Sequence, residues 1–364
     1  MNTIGSTALT ILQFVIAFGA LILLHELGHF IFARLSKIKV EEFGIGYPPR
    51  MVRLFRAGGT DFTFNWIPFG GFCRMKGEDQ NDTEPGSFLA ARPINRLITL
   101  LGGSAFNLLL GFLLITYLFT RIGSPDVTKV QISDVTANTP AAVSGIQVGD
   151  IISAVNGTPI DSMEKLSTEI SSHLGQPLEI VLLRDGQQVQ VVATPREEWP
   201  ENQGPLGITI TNPSVKVSFI QAIPSAAVTT LDQGFQLIML PVRLISGQIA
   251  PSEARMVSVK GIYDIYAQVQ SVDKEEAAQN PEMAGLNTLY FFAVISVALG
   301  YTNLLPIPAL DGGRILFLLP ELLFKKKIPA ALEGKVHMVF FALLITLMVV
   351  LIINDIVNPV LIPK

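Results

Sequence analysis

The stretch Ala20-Leu-Ile-Leu-Leu-His-Glu-Leu-Gly-His-Phe-Ile-Phe-Ala33 combines the composition of a membrane helix with three ionisable side chains. On a helix, His25 and His29 lie four residues apart on one face, so both imidazoles can bind one Zn²⁺. Glu26 beside them can accept a proton from a water molecule that zinc activates. Residues 1–24 carry no charged side chain and are long enough to cross a bilayer. Because an ionisable group at that depth costs about 2.5–3.5 kcal/mol, the motif predicts a metal site inside a membrane helix.

The composition is that of a membrane protein with soluble parts. Of the 364 residues, 49% are hydrophobic and only 15% are charged, which is too apolar for an ordinary soluble protein. The net charge of −4 gives no basis for nucleic-acid binding. The single cysteine, Cys73, excludes an intramolecular disulfide framework and a cysteine-based zinc site. The apolar N-terminus lacks the basic segment and cleavage site of a signal peptide, so we expect a retained helix.

Four apolar segments are long enough to span a membrane: residues 8–33, 97–119, 286–305 and 336–356. Basic residues cluster after the first segment, before the second, and between the third and fourth: Arg34, Lys37, Lys39, Arg92, Arg96, Lys325, Lys326 and Lys327. If the four helices alternate in direction, all these residues lie on one side, which the positive-inside rule makes cytoplasmic. Both termini and the long segment between the second and third helices then lie outside.

Between the first two helices, residues 42–46 and 60–67 are predicted to form short strands. Gly58-Gly59 and Gly70-Gly71 mark turns between and after them. The apolar faces and Trp66 favour a β-hairpin that dips into the membrane interface. The alternative is a small cytoplasmic hairpin packed on the helix ends.

The outer segment contains a predicted compact α+β domain and a second, apolar part. The domain has strands at 132–135 and 149–157, helices at 139–144 and 163–174, and a hairpin over 178–194. Residues 145–152 and 155–157 resemble a PDZ domain, with 205–208 as a candidate peptide-binding strand. From 218 to 270 the chain is interrupted by Pro224, Pro241, Gly247 and Pro251. We expect an amphipathic stretch on the outer membrane surface there.

A catalytic zinc takes three protein ligands and keeps a fourth position open. Among the remaining histidines only His337, at the start of the last helix, competes for the third ligand position. Asp311 is the better candidate, because Pro306 and Pro308 break the helix before it. An unwound stretch at membrane depth normally lines a cavity. The alternative is a loop aspartate that caps the next helix.

These motifs together resemble the site-2 protease family of intramembrane zinc metalloproteases, and specifically bacterial enzymes of regulated intramembrane proteolysis of the RseP type. The resemblance covers nearly the whole chain and rests on five stretches: residues 25–29, 44–46, 67–72, the PDZ-like domain, and Asn303 to Gly312 with its prolines. It implies that His25, His29 and Asp311 bind zinc and that Glu26 is the catalytic base. It further implies that Asn303 holds the substrate backbone and that Asn107 lies near the site as a second substrate-binding residue.

The chain departs from the family pattern in two places. Many members carry Gly-Pro where this chain has residues 258–262, which leaves the role of that outer segment open. The best-known bacterial type has two tandem PDZ domains and this chain has one.

The expected fold is a polytopic α-helical membrane protein with four transmembrane helices, a membrane-associated β-hairpin region and one extracytoplasmic PDZ-like α+β domain. Its expected parts are the first transmembrane helix with the histidine motif (1–36), the β-hairpin region (37–96), the second helix (97–122), the PDZ-like domain (126–212), the amphipathic outer segment (213–285), the third, broken helix (286–319), and a cytoplasmic loop with the fourth helix (320–364).

The expected function is that of a zinc-dependent endopeptidase in the bacterial inner membrane, with its catalytic side cytoplasmic. Its substrates would be transmembrane segments of single-pass proteins, such as anti-sigma factors or signal-peptide remnants. Membrane lipid is the other expected partner, nucleic acid is not, and the PDZ-like domain either binds substrate or filters it by size. One alternative is a non-catalytic PDZ-bearing scaffold or chaperone. A metal transporter is disfavoured because the other helices carry no further ligands.

Overall fold

The computed structural model describes residues 3–78, 82–200, 203–249 and 255–360. The chain divides into two compact units. One comprises Met1–Leu118 and Ala226–Lys364, and the other comprises Phe119–Ser225. Each unit is described by itself.

The described residues form long helices, one pair of long strands and a cluster of short strands. In chain order they are α1 (Thr3–Leu35), β1 (Val40–Ala57), β2 (Thr60–Met75), α2 (Pro93–Ile122), β3 (Ser124–Pro125), β4 (Val130–Val135), α3 (Pro140–Val143), β5 (Ile151–Val155), β6 (Thr158–Pro159), α4 (Met163–Ser172), β7 (Leu178–Arg184), β8 (Gln187–Ala193), β9 (Ile208–Thr211), β10 (Ser214–Val215), α5 (Phe219–Ile245), α6 (Val259–Gln279), α7 (Leu286–Leu304), α8 (Asp311–Phe324) and α9 (Ala330–Val357).

Four of the described helices are long and apolar enough to cross a membrane, which confirms that prediction. The segments are Thr7–Leu35, Pro93–Ile122, Pro281–Leu304 and Ala331–Val357. Their ends differ from those of the predicted segments by one to five residues, because the ends of a helix are less sharply defined than its middle.

Helices α1 and α2 approach closely through glycines. A Cβ on Gly28 would lie 2.6 Å from the carbonyl carbon of Gly102 and 2.9 Å from the Cα of Gly103. A larger residue at Gly28 would therefore push the two backbones apart. Small residues permit this kind of contact between membrane helices, and here it brings α2 against the histidine motif.

The β-hairpin is longer than the sequence predicted, and the prediction of a turn at Gly70-Gly71 was wrong. Both glycines lie inside β2, which continues to Met75. The reason is the register, because residues 42–45 pair with residues 61–64 and also with residues 71–74. Gly70 has a φ of +81°, so it bends the strand without ending it. The pairing on both sides depends on tertiary contacts and leaves no local signal.

The sheet packs on the last turns of α1. The ring of Phe30 makes edge contacts with the rings of Phe43 and Phe62. The guanidinium of Arg34 donates a hydrogen bond to the carbonyl of Gly58 in the hairpin turn, at 2.5 Å. These contacts fix the hairpin at the end of the helix that carries the histidines.

Two long helices, α5 and α6, lie between residues 213 and 285, and the interruptions predicted at Pro224 and Pro241 were wrong. Pro251, the last predicted interruption, lies outside the described residues. Helix α5 continues through Pro224 and Pro241, each of which removes one backbone hydrogen bond without ending the helix. Helix α6 packs inside the first unit, where Tyr266 is 2% exposed and contacts an aromatic cluster. The other buried members of that cluster are Phe14, Phe18 and Phe291.

The helical path breaks between α7 and α8. Residues 305–310 are not helical, as Pro306 and Pro308 predict. Ala309 has a φ of +83°, in the left-handed region that side chains rarely adopt. A Cβ on Gly313 would lie 2.6 Å from the Cα of Pro308, so glycine lets α8 begin directly beside the turn.

The second unit is an antiparallel sheet with two short helices. The strand order is β8-β7-β5-β4-β9, with β6 paired to β5. Its core is apolar and almost fully buried, with Val130, Leu166, Leu178 and Leu182 at 1% exposure or less. Strand β9 lies at one edge of this sheet.

Candidate active site

Three ligand-type atoms from three distant positions in the sequence meet in the first unit. The Nε2 atoms of His25 and His29 are 3.1 Å apart. Asp311 Oδ2 lies 3.1 Å from the first and 3.2 Å from the second. Both imidazoles are buried, at 7% and 6% exposure. The three residues form a group that can hold a metal ion.

The spacing and chemistry of these atoms fit zinc. Tetrahedral zinc with bonds of about 2.0–2.1 Å places its ligand atoms about 3.3–3.4 Å from one another, close to the observed separations. Two imidazole nitrogens and one carboxylate oxygen are ligands that zinc prefers. Without a cation or a bridging proton the lone pairs of these three atoms would face each other inside the protein. The residues present therefore fit a zinc ion.

The other ring nitrogen of each histidine also has a partner. His29 Nδ1 lies 2.9 Å from the backbone carbonyl of Thr99, which accepts its proton and fixes the tautomer that leaves Nε2 free for metal. His25 Nδ1 lies 3.4 Å from the Asn107 amide nitrogen, and the amide oxygen of Asn107 has no hydrogen-bond partner among the described residues. With its amide turned so that the oxygen faces Nδ1, Asn107 would accept a hydrogen bond from His25.

Gly103 leaves the space that the two imidazoles occupy. A Cβ at this position would lie 2.7 Å from both Cε1 and Nε2 of His25, and still closer to Nε2 of His29. Gly103 therefore faces the metal-binding atoms themselves.

Asp311 is the first residue of α8, but its carboxylate does not cap that helix. Leu310 occupies the capping position, and it makes no side-chain capping hydrogen bond. The carboxylate of Asp311 instead contacts the imidazoles of His25 and His29. The structure therefore favours the ligand interpretation of Asp311 over the capping alternative.

A cavity of about 570 Å³ opens beside the cluster, and all six residues singled out from the sequence line it. These are His25, Glu26, His29, Asn107, Asn303 and Asp311. The carboxylate of Glu26 has no hydrogen bond among the described residues, so it is available to a water molecule in the cavity. A side chain on Gly71 would come within 3.6 Å of the Cγ of Glu26, which places strand β2 along this wall.

The cavity is also lined by polar residues to which the sequence assigned no role, among them Cys73 and Arg314. Cys73 is buried, and its burial together with the carboxylates of Glu26 and Glu78 raises the pKa of its thiol. A thiol that stays protonated is a poor metal ligand. Arg314, next to Gly313, forms an ion pair with Glu78 at the cavity wall.

His337 does not compete for the metal position. Its Nδ1 accepts a hydrogen bond from the backbone N–H of Ala309 at 2.8 Å. It thus contacts the turn that precedes Asp311, and no feature of the sequence indicated this contact.

The chain is similar to known proteases over nearly its whole length. The model of peptidase family M50 matches residues 13–347. A predicted zinc metalloprotease of Clostridium acetobutylicum is 30% identical over 350 residues, covering 95% of this chain and 97% of that protein. One of Campylobacter jejuni is 33% identical over 362 residues, covering 94% and 92%. The regulator of sigma-W protease RasP of Bacillus subtilis is 25% identical over 429 aligned positions, covering 95% and 98%.

The chain therefore belongs to peptidase family M50, the site-2 protease family. It is a zinc-dependent metalloendopeptidase with four described helices long and apolar enough to span a membrane. Both statements confirm what the resemblance in the sequence implied.

Proposed function

We propose that this enzyme cleaves transmembrane segments of single-pass membrane proteins inside the bacterial inner membrane. The observation that carries the proposal is the position of the His25, His29 and Asp311 cluster. Both histidines are buried, and the cluster lies where a membrane-length helix, α1, meets the break between α7 and α8. Substrates of the class that includes anti-sigma factors and signal-peptide remnants fit such a site. A non-catalytic scaffold is not favoured, because the complete ligand set and the free Glu26 have no role in it.

The side chains divide the chemistry among them. His25, His29 and Asp311 would hold zinc, which supplies a Lewis acid that makes water a nucleophile near neutral pH. Glu26 accepts a proton from the attacking water and returns it to the departing amine. Thr99 and Asn107 keep the two imidazoles in orientation, and Asn303 binds the substrate backbone from the cavity wall.

An α-helical substrate hides its carbonyl groups, so it must unwind before attack. Residues 71–75 of β2 pair with residues 40–45 on one side, and Phe72 to Met75 line the cavity. The other edge of this segment is suited to pair with an extended substrate by strand addition. Such pairing would hold the scissile bond next to Glu26.

The proposal is tested with Glu26→Gln, which removes the base and leaves the three ligands in place. We expect the purified variant to keep its zinc and to lose at least about 100-fold in cleavage rate, the lower range for general-base catalysis. Proteomics of membranes that express the wild type or the variant would show transmembrane fragments accumulating with the variant. Cleavage at the wild-type rate would remove Glu26 from the mechanism.

The basic residues at the helix ends support a cytoplasmic catalytic side and an extracytoplasmic second unit. Cysteines placed at Lys326 and at Gly186 in a Cys73→Ala background should label oppositely with a membrane-impermeant thiol reagent. Labelling of position 326 from outside intact cells would overturn this orientation.

We further propose that residues 126–212 act as a PDZ-like domain. The peptide-binding strand predicted at 205–208 was placed too early, since strand β9 begins at Ile208. Strand β9 lies at a sheet edge, which is suited to adding a peptide strand. The domain either captures a C-terminus from an earlier cut or excludes substrates with large outer domains. Deleting it should slow cleavage of a trimmed substrate in the first case. In the second case, deletion should speed cleavage of the full-length substrate.

A further inference from the structure

His337, on α9, contacts the turn that precedes Asp311. Its Nδ1 accepts a hydrogen bond from the backbone N–H of Ala309 at 2.8 Å. The side chain is 17% exposed, and its ring lies 5.8 Å from the ring of Phe317, centroid to centroid. Since a nitrogen that accepts a hydrogen bond carries no proton, neutral His337 has its proton on Nε2.

The residue that donates this bond is in an unusual conformation. Ala309 has a φ of +83°, which residues with a side chain rarely adopt. It lies in the non-helical stretch between α7 and α8, two residues before Asp311. The direction of the peptide planes here determines where the Asp311 carboxylate points. A left-handed alanine at this point requires contacts that hold it there.

The hydrogen bond joins the turn to α9, in which an 18-residue apolar stretch contains no buried residue. Near the other end of α9, the carboxylate of Asp355 accepts hydrogen bonds from the backbone N–H and the hydroxyl of Ser258, both at 2.7 Å. Polar contacts of His337 and Asp355 therefore attach the two ends of this helix to the rest of its unit.

We propose that His337 is a positioning residue for the metal site. Its Nδ1 holds the Ala309 peptide in the left-handed conformation and so aims the Asp311 carboxylate at His25 and His29. This proposal rests on the proposed function, in which Asp311 is a zinc ligand. His337 itself touches neither metal nor substrate.

A pair of substitutions separates the acceptor from the bulk of the side chain. In His337→Asn the amide oxygen lies as many bonds from the Cα as Nδ1 does, so the acceptor is retained. His337→Leu has a similar branched shape and no acceptor. Changes in groups that orient metal ligands typically cost 10–100-fold in metal affinity. We expect the Leu variant to bind zinc about 10-fold more weakly than wild type, while the Asn variant stays within about threefold.

The measurement is a zinc dissociation constant of the purified full-length protein, obtained by competition with a chelator. Thermal unfolding of the metal-free protein is followed in parallel. The same Leu substitution at His173, in the second unit, is the control and should leave zinc affinity unchanged. If the Leu variant does not fold, His337→Gln replaces it, because its amide is one bond too long to reproduce Nδ1.

Equal zinc affinity in the Leu and Asn variants would overturn the proposal, whether both match wild type or both are weakened alike. Asp311→Asn distinguishes this failure from failure of the proposed function. If Asp311→Asn loses zinc while His337→Leu keeps it, the positioning role alone is wrong. If Asp311→Asn keeps zinc, the ligand assignment itself is wrong.

Discussion

Asp311 and Asp355 are both carboxylates in the first unit, Asp311 partly buried with 17% of its side chain exposed and Asp355 fully buried, and their surroundings differ in kind. Asp355 is fully buried and accepts hydrogen bonds from the backbone N–H and hydroxyl of Ser258. It also accepts one from the guanidinium of Arg255 at 2.8 Å. These contacts join α9 to the start of α6. Asp311 faces only imidazole nitrogens among the described residues, those of His25 and His29.

The difference separates a structural carboxylate from a functional one. Every partner of Asp355 is a hydrogen-bond donor, and Arg255 balances its charge. Groups of the chain therefore offset the free-energy cost of burying this carboxylate. The partners of Asp311 are themselves acceptors when neutral, and their Nε2 atoms also face each other at 3.1 Å. Only a cation or a proton can satisfy all three atoms at once. A carboxylate to which the chain supplies no hydrogen-bond donors or balancing charge thus indicates a ligand site better than burial alone does.

The largest expected effect is the loss of zinc from Asp311→Asn. A neutral amide is a weaker ligand than a carboxylate, and even changes in groups that merely orient metal ligands cost about 10–100-fold in affinity. We therefore expect zinc to bind more than about 100-fold more weakly. Metal analysis and chelator competition on the purified variant measure this directly.

Asp355→Asn is the matched substitution and should have the opposite profile. Losing the charged acceptor of three hydrogen bonds should lower the free energy of unfolding by about 2–3 kcal/mol, with zinc affinity unchanged. Denaturant unfolding of both variants, each with its zinc affinity, completes the comparison. If Asp355→Asn also weakened zinc binding 100-fold, the division between the two carboxylates would be wrong.

A smaller effect is expected when the space beside the imidazoles is filled. Gly103→Ala places a methyl group against both histidines, and overpacking of this kind costs about 1–3 kcal/mol. Zinc affinity should fall about 10-fold or more, because the two histidine ligands must shift to accommodate the methyl group. Gly19→Ala on the same helix as the histidines is the control, because a Cβ there meets nothing within 4 Å. Equal zinc affinity in the two variants would show that the imidazoles can move aside.

The sequence predicted the parts of this site whose signal is local. The spacing of His25 and His29 is set by one turn of helix, and the prolines before Asp311 mark the break in the helical path. Other features depend on contacts between distant segments. The pairing of residues 42–45 on both sides placed Gly70-Gly71 inside a strand where the local pattern indicated a turn. The hydrogen bond from Ala309 to His337 joins residues 28 positions apart and follows no short motif.

Residues 213–285 differ from the prediction in one respect that the sequence could not show. Prolines predicted interruptions, yet α5 continues through two of them, because a long helix loses only one hydrogen bond at each. In α6, Tyr266 packs among aromatic side chains from α1 and α7, and these neighbours are too distant in sequence to leave a local pattern.

The smallest effect is expected for Asp150 in the second unit. Like Asp355, it is a buried carboxylate whose hydrogen-bond partners are donors from the chain. It is 1% exposed, and the guanidinium of Arg184 donates two hydrogen bonds to it, both at 2.8 Å. Burial alone would raise the pKa of Asp150, but Arg184 and the backbone N–H of Gln147 outweigh it and hold the pKa below its ordinary value.

A carboxylate whose pKa is lower in the folded state stabilises the fold above its unfolded pKa of about 3.9. That contribution is lost as the pH falls through the folded pKa. Asp150→Asn should therefore destabilise the second unit by about 1.5 kcal/mol at pH 7, the low end for hydrogen bonds to a charged group. The gap between variant and wild type should narrow below about pH 4. Hydrogen exchange of the β5 and β7 amides in the full-length protein, compared at pH 7 and at pH 3.5, measures it. A gap of the same size at both pH values would mean that packing around Asp150, and not its charge, provides the stability.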